Sequence, residues 1–183
     1  MRRLVASLAR FRKDVSAAVS VEFLLVLPVL LSWYVGSFVF FDRFRSHTAA
    51  LKATYAVADI IARQTEVDND YVDHMADVVD ALAIGTAPSW VRVTSVRRTT
   101  DSYAVEWSHA SGQHQGLTTA QLLERRIPEN FIPDMAIGET VLLVETHIPY
   151  DLRLPVRLGF DEWINVVVMR PRFASKVVNT DLQ

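Results

Sequence analysis

Glu22 is an ionisable residue directly before a long apolar run, and its position is the most informative feature of the sequence. From Phe23 to Phe41 the sequence has 19 residues and no charged side chain. A carboxylate at the centre of a membrane helix costs about 2.5 to 3.5 kcal/mol, and less near an interface. Glu22 lies at the cytoplasmic end of the run, so its position alone is consistent with a flanking acid that reaches water and with a residue that has a specific role.

The apolar run has the length of one membrane span. As an α-helix it would be roughly 28 Å long at about 1.5 Å per residue, close to the ~30 Å hydrocarbon thickness of a bilayer. Basic residues outnumber acids before the run, which predicts a cytoplasmic N-terminus and an exported C-terminal part. The run is too long for a secretory signal and no small-residue cleavage site closes it, so we expect it to be retained. The basic residues are Arg2, Arg3, Arg10, Arg12 and Lys13, against Asp14.

The residues around Glu22 resemble a processing signal. The stretch from Ala17 to Leu31, AAVSVEFLLVLPVLL, is similar to the class III signal of type IV pilins. It is most similar to the TadE and TadF minor pilins, or pseudopilins, of the tight-adherence (Tad/Flp) system. The resemblance implies that a prepilin peptidase cuts between Ala17 and Ala18, so that Glu22 becomes the fifth mature residue and the aromatic Phe23 follows it. Ala17 stands where glycine is commonest in that family, which leaves the position of the cut open.

The resemblance also implies an assembly role for Glu22 and Phe23. Cleavage would free the α-amine of Ala18, and an α-amine has an ordinary pKa of about 7.7 to 8.0, so much of it is protonated near neutral pH. In pilin-like assemblies the fifth-position glutamate faces the amine of a neighbouring subunit, so Glu22 is expected to set the register between subunits. The expected partners are the prepilin peptidase, other minor or major pilins, Tad assembly proteins and membrane lipid.

Three residues inside the run bear on how this helix packs. Pro28 has no backbone N–H and predicts a kink, which membrane helices tolerate. Ser32 and Gly36 form a small-xxx-small pair that would let a second helix approach closely. Beyond the run a helical spacing of apolar residues continues, which predicts one helix from Ala18 to Gln64. The spaced residues are Phe44, Leu51, Tyr55, Ala58 and Ile61.

The 183 residues suffice for one span and one modest domain. We expect a basic leader peptide over 1–17, a transmembrane helix over 18–41 and an exported continuation of that helix over 42–65. A periplasmic α+β head over 66–174 and a mobile tail over 175–183 follow. The expected location is the bacterial inner membrane, as a single-pass protein with a cytoplasmic N-terminus and a periplasmic head; incorporation into the pilus stays open.

The predicted head is a small antiparallel sheet packed on the exported half of the long helix, a pilin-like α+β fold. Asp68, Asn69 and Asp70 predict a turn and N-cap for a second helix from about Asp70 to Ile84. Alternating and β-branched segments predict four strands, of which the third is central. A short helix from Thr118 or Thr119 is predicted to end at Arg126. The strands are Val91–Val96, Tyr103–Ser108, Thr140–Ile148 and Ile164–Met169.

Acidic residues on the predicted second helix raise the question of calcium. Asp73, Asp77 and Asp80 fall on one side of it. The glycine and the terminal glutamate of an EF-hand loop are missing at the required offsets. A solvated helix face is the better interpretation, and we predict no metal site.

Signals for catalysis are weak. Asp101, His109 and Ser111 could be imagined as a triad, and His109 with His114 as metal ligands. The sequence has no nucleophile elbow, zinc-binding helix or phosphate-binding glycine loop to accompany them. We therefore expect no catalytic residues, no cofactor and no small-molecule substrate.

Charge and cysteine content limit the exported part further. Of 19 basic and 21 acidic residues, five and two lie in the first 41 positions, which leaves 14 basic and 19 acidic residues beyond Phe41. This balance argues against bulk nucleic-acid binding. The chain has no cysteine, so the head must be held by packing alone even in an oxidising periplasm.

Two functions are consistent with these patterns. The first is a minor pilin similar to TadE or TadF, and Arg170, Pro171 and Arg172 resemble the Arg-Pro-Arg ending that recurs in TadE-like proteins. The second is an uncleaved single-pass anchor with a periplasmic ligand- or partner-binding domain. Both share one topology, and they differ in their N-terminus.

Overall fold

A computed structural model describes residues 16–124, 132–151 and 162–182. The predicted leader, apart from its last two residues, lies outside these ranges, as does the predicted end of the short helix at Arg126. The chain divides into two compact units, Met1–Arg43 and Phe44–Gln183, and the second is called the head below. The elements in chain order are α1 (Ser16–Ala62), β1 (Glu66–Val67), α2 (Asn69–Leu82), β2 (Trp90–Arg98), β3 (Tyr103–Ala110), α3 (Thr119–Glu124), β4 (Thr140–Pro149), β5 (Glu162–Met169) and β6 (Val178–Asn179).

Helix α1 agrees with the predicted long helix within two residues at each end. It has 47 residues and runs through Pro28 without interruption. Among the described residues it is the one helix that is long and apolar enough to cross a membrane, judged by length and composition. The second part of α1, from Phe44 onward, belongs to the head, where its small and β-branched side chains form part of the core.

The head contains a four-stranded antiparallel sheet with the strand order β3-β2-β4-β5, so the predicted α+β class is confirmed. β4 has a neighbour on each side, as the apolar run VLLV predicted for a central strand. The register of β2 on β3 shifts between Ser95 and Val96, which is a β-bulge. The extra residue is Glu106 of β3, because Trp107 and Val105 pair with the consecutive residues Ser95 and Val96. Trp107 and Val105 are two residues apart, yet they pack in the clusters on opposite faces of the sheet.

Apolar residues cover both faces of the sheet. One face packs on the head part of α1 and on α2, with Val57, Val72 and Val144 fully buried between the layers. The other face packs Val141 and Leu143 against residues of the segments after β3 and before β4, namely Leu117, Leu122 and Ile132. The sheet is therefore the middle layer of the head, and packing on both of its faces holds its side chains in place.

Helix α2 begins as its sequence predicts. Asp68 has an extended backbone, and its Oδ1 accepts a hydrogen bond from the Tyr71 N–H at 2.7 Å, which makes it the N-cap. The helix starts one residue before the predicted Asp70 and ends at Leu82, two residues before the predicted Ile84. Leu82, the last residue of the helix, is 50% exposed.

The C-terminal segment contains a short strand, although the sequence predicted a mobile tail. Val178–Asn179 forms β6, which pairs in parallel with Glu66–Val67. Val177 is fully buried, and its carbonyl accepts a hydrogen bond from Trp107 Nε1 at 2.8 Å. The predicted tail over 175–183 is thus a structured part of the head through Asn179. The sequence did not show this, because a two-residue strand is too short to have a period.

The Arg-Pro-Arg segment after β5 has a structural explanation. Arg170 Nε lies 3.3 Å from Glu139 Oε1, and its Nη2 donates to the Asp134 carbonyl at 2.6 Å. Arg172 Nη2 forms an ion pair with Asp59 Oδ1 at 2.6 Å, although the angles do not meet the criteria for a hydrogen bond. The backbone N–H of Arg172 donates to the Ala62 carbonyl at 2.8 Å. The two arginines connect the end of the sheet to the loop before β4 and to the end of α1.

Candidate functional site

All residues predicted to act in processing or assembly lie on the N-terminal part of α1. Ala17 and Ala18 are in its first turn. Glu22 and Phe23 follow in the second turn, and both side chains are exposed, Phe23 by 63%. The helix therefore presents Glu22 at the N-terminal end of the uncharged run and not within the packed core.

The uncharged run is exposed along its length. An 18-residue window of α1 has a mean hydropathy of 2.1, and none of it is buried within the molecule. Covering one large apolar side chain is worth about 1.5 to 3 kcal/mol. An exposed apolar patch of this kind indicates contact with a membrane or with another apolar surface. The exposed large side chains include Leu24, Leu25, Leu30, Leu31, Trp33, Tyr34, Phe38, Phe40 and Phe41.

Pro28 and Ser32 interact within the helix. Ser32 Oγ donates a hydrogen bond to the Pro28 carbonyl at 2.7 Å. Serine bonds of this type often bend a helix slightly, and Pro28 removes the donor that the Leu24 carbonyl would otherwise receive. The kink predicted at Pro28 stays a prediction. The Ser32 hydroxyl is satisfied inside its own helix, so its contribution to packing would come from its small size.

Ser32 and Gly36 contribute to a shallow groove on the apolar surface. The groove has a volume of about 560 Å³. A Cβ atom added at Gly36 would have no atom within 4 Å, so no contact inside this molecule requires a glycine there. The groove is large enough for a side chain or helix edge of another molecule. Its other lining residues are Val29, Trp33, Ser37, Phe40 and Phe41.

Glu22 lies on the same side of the helix as this groove. Val29, Trp33 and Phe40 follow Glu22 by 7, 11 and 18 positions. These separations are close to two, three and five turns of a helix with about 3.6 residues per turn. The carboxylate and the groove are therefore two features of one helix face, and a neighbour packed in the groove would also lie along Glu22.

The acidic residues of α2 have individual roles. His109 Nε2 lies 3.0 Å from Asp73 Oδ1, and Asp80 Oδ1 accepts a hydrogen bond from the Ser89 N–H at 2.9 Å. Asp77 is exposed. Within the described ranges, no three acidic, histidine or cysteine side chains are grouped as metal ligands. Asp73 and Asp80 connect α2 to β3 and to the start of β2.

No contact in the described part of the chain joins the three residues considered as a triad. Ser111 Oγ accepts a hydrogen bond from the Val91 N–H at 2.9 Å, and His109 contacts Asp73. Asp101 is exposed in the turn between β2 and β3. His109 is part of β3, which extends to Ala110, two residues beyond the predicted end of this strand at Ser108. The His114 ring stacks on Trp90, and no described contact joins it to His109.

A histidine and tryptophan stack is the feature that sequence reasoning missed. The His147 ring is 3.8 Å from the Trp90 ring at 9°, and the His114 ring is 4.1 Å from it at 14°. Two imidazoles at these distances would overlap on one side of the indole, so they occupy opposite faces. Trp90 and His147 are paired residues of β2 and β4. Only the strand register brings them together, and the sequence carries no signal of it.

The stack lies beside a buried ion pair. Arg92 Nε donates to Glu145 Oε2, with both side chains largely buried. The Arg92 guanidinium carbon is 5.4 Å from the Trp90 ring centroid. Burial lowers the pKa of His147, and this is opposed by its contact with Glu162 Oε2 at 3.4 Å. His147 Nε2 is buried without a hydrogen-bond partner, so protonation of this ring is costly.

Comparison with known proteins identified no relative, because no family model, no curated protein and no solved structure matches this chain.

Proposed function

We propose that this chain is a minor pilin, or pseudopilin, similar to TadE or TadF, that takes part in assembly of a Tad/Flp type IVb pilus. A prepilin peptidase would mature it between Ala17 and Ala18, and its N-terminal helix would pack with other pilins in or at the bacterial inner membrane. The observation that carries the proposal is the exposed, uncharged helix face with Glu22 at its N-terminal end.

The position of Glu22 supports a role in register. An isolated carboxylate against lipid is costly, and a protonated amine within hydrogen-bond distance would offset that cost. After cleavage, the α-amine of Ala18 on a neighbouring subunit would be such a cation. Since Glu22 shares a helix face with the groove at Gly36, one packing arrangement would satisfy the charge and cover the apolar side chains.

The head is consistent with an exported domain of an assembly protein. Its core is complete in the residues from Ala50 onward and contains no cysteine. The resemblance alone supports a location of the head in the periplasm and partners among the pilins and Tad assembly proteins. The excess of basic over acidic residues before the uncharged run supports a cytoplasmic N-terminus and an exported head.

The experiment that tests this proposal is to determine the N-terminal residue and the intact mass of protein purified from membranes, with and without the prepilin peptidase. A start at Ala18 that requires the peptidase would establish maturation and place Glu22 fifth. A start shifted by a few residues would establish maturation at another cut. A chain that begins at Met1 in both strains would contradict the proposal and favour an uncleaved single-pass anchor with a partner-binding head.

A further inference from the structure

A groove in the head combines apolar and basic side chains. It lies between the first turns of the head part of α1 and the end of α2, and its volume is about 780 Å³. Ala49 and Ala53 form its floor, while Phe44, Leu82 and Ile84 stand at its edges. Their exposed fractions are 61%, 50% and 37%. Three large apolar side chains exposed around one concave surface indicate a site that another molecule covers.

The charge of the groove is opposite to that of the head. Arg45 and Lys52 line it, seven residues apart on the same side of α1, and both are exposed. Neither forms an ion pair within the part of the chain that the structure describes. Because acids outnumber basic residues beyond Phe41, two unpaired cations in one groove favour an anionic occupant.

The groove is held in place by hydrogen bonds. Ser46 Oγ donates to the Ile84 carbonyl at 3.1 Å, and Trp163 Nε1 donates to Ser46 Oγ at 3.0 Å. Ser46 itself is only 1% exposed. The loop after α2 is thereby fixed to α1 and to β5, so the apolar edges and the basic residues keep one geometry. A preformed site loses less entropy when it binds.

The position of the groove in the sequence indicates the source of the anion. Phe41 ends the uncharged run, and Arg45 follows four residues later. Residues just beyond a membrane span lie at the depth of the polar headgroups, and basic residues there attract anionic headgroups. Arginine binds phosphate through two parallel N–H donors, and apolar side chains can contact the adjoining acyl chain.

We propose that this groove binds an anionic phospholipid, with Arg45 and Lys52 on the headgroup phosphate and with Phe44, Leu82 and Ile84 against the acyl chain. The site would seat the head on the surface of the bilayer. This inference rests on the membrane location in the proposed function and is independent of peptidase cleavage.

The test uses the full chain purified in detergent and counts bound lipids by native mass spectrometry during titration with phosphatidylglycerol or phosphatidylcholine. The groove variant is Arg45→Gln with Lys52→Gln. The matched control is Arg97→Gln with Lys176→Gln, which removes the same charge from residues that contact Glu106. Each basic residue near an anionic surface is worth about fivefold in affinity, so the groove variant should bind phosphatidylglycerol roughly thirtyfold more weakly.

The proposal predicts that wild type and control prefer phosphatidylglycerol to phosphatidylcholine and that the groove variant loses this preference. Equal affinity of wild type and groove variant for phosphatidylglycerol would overturn it. Lipid-independent dimers that the groove substitutions disrupt would also overturn it, because the occupant would then be a second copy. Extraction of the protein from membranes by alkaline carbonate would contradict the membrane location as well, whereas failure of the lipid preference alone leaves the proposed function intact.

Discussion

At the scale of single residues, two ionisable groups of the described chain lie in contrasting surroundings. Glu22 is exposed at the end of a helix face that is otherwise apolar, and His147 is stacked inside the head with a buried, unpartnered Nε2. The sequence indicated Glu22, because an acid beside an uncharged run is visible without a structure. His147 could not be found in that way, because its environment comes from the pairing of β4 with β2 and β5.

Replacing Glu22 tests whether its charge sets the register between subunits. Glu22→Ala removes the carboxylate and should leave membrane insertion unchanged, since the uncharged run is intact. Recovery of partner pilins with the tagged protein should fall at least tenfold, which corresponds to a loss of about 1.4 kcal/mol. Glu22→Gln is the matched variant, because it removes the charge of the side chain and keeps its size. Unchanged recovery with either variant would contradict the registry role.

His147 should make the stability of the head depend on pH. Its pKa in the folded chain is lowered, first by burial, so the unfolded chain takes up the proton first as the pH falls. The favourable contribution is complete above about pH 6.5, the ordinary histidine pKa, and is lost as the pH falls through the lowered pKa. Denaturant unfolding of the full chain in detergent at several pH values measures this loss.

The comparison that isolates His147 is between two substitutions. His147→Gln should flatten the pH dependence below the ordinary histidine pKa, because the titrating group is gone. His74→Gln, which changes an exposed histidine of α2, should keep the dependence of the wild type. If both variants followed the wild type equally, His147 would not be the group responsible.

At the scale of secondary-structure elements, the short segments determine how the long ones are joined. β6 pairs with β1, and Val177 beside it accepts the hydrogen bond of the buried Trp107. Helices α1 and α2 and the four long strands agreed closely with their patterns, because each has several turns or alternations to read. The two-residue strands and the end of α2 at Leu82 did not, since tertiary contacts decide them.

Removing the C-terminal segment tests its structural role. A chain that ends at Ser175 lacks Val177 and β6, which leaves an apolar cavity and removes the acceptor of Trp107 Nε1. Loss of one buried valine and of one buried hydrogen-bond partner together should lower the free energy of unfolding by about 2 to 4 kcal/mol. Thermal and urea unfolding of the two chains give the difference.

A shorter truncation is the control for this experiment. A chain that ends at Asp181 keeps β6 and the contact of Asp181 with the Asn69 N–H. Its stability should lie within about 0.5 kcal/mol of the full chain, as is usual for changes at a surface. If removal of residues 176–183 had an equally small effect, β6 would be a peripheral contact and not part of the core.

At the scale of the whole molecule, the two units differ in what covers their apolar residues. In the head, sheet and helices cover one another, and the buried residues form two clusters on opposite faces of the sheet. In Met1–Arg43 the uncharged residues of the helix are exposed. The sequence predicted this division, because a run of 19 uncharged residues exceeds what a small domain can bury. It did not predict the groove at Arg45 and Lys52, which exists only because α2 ends beside α1.

The division predicts that the head folds without the apolar segment. All residues of the two buried clusters lie beyond Ser46, so deletion of residues 1–43 removes none of them. The fragment 44–183 should be monomeric and soluble without detergent, and it should unfold in one cooperative transition, as single domains of this size commonly do. Near-ultraviolet circular dichroism of Trp107 and Trp163, together with thermal unfolding, measures this. A fragment that lacks a cooperative transition would contradict this prediction and would mean that the first unit contributes to the stability of the head. In that case the fragment should stay unfolded when detergent is added, whereas the full chain in the same detergent should be folded.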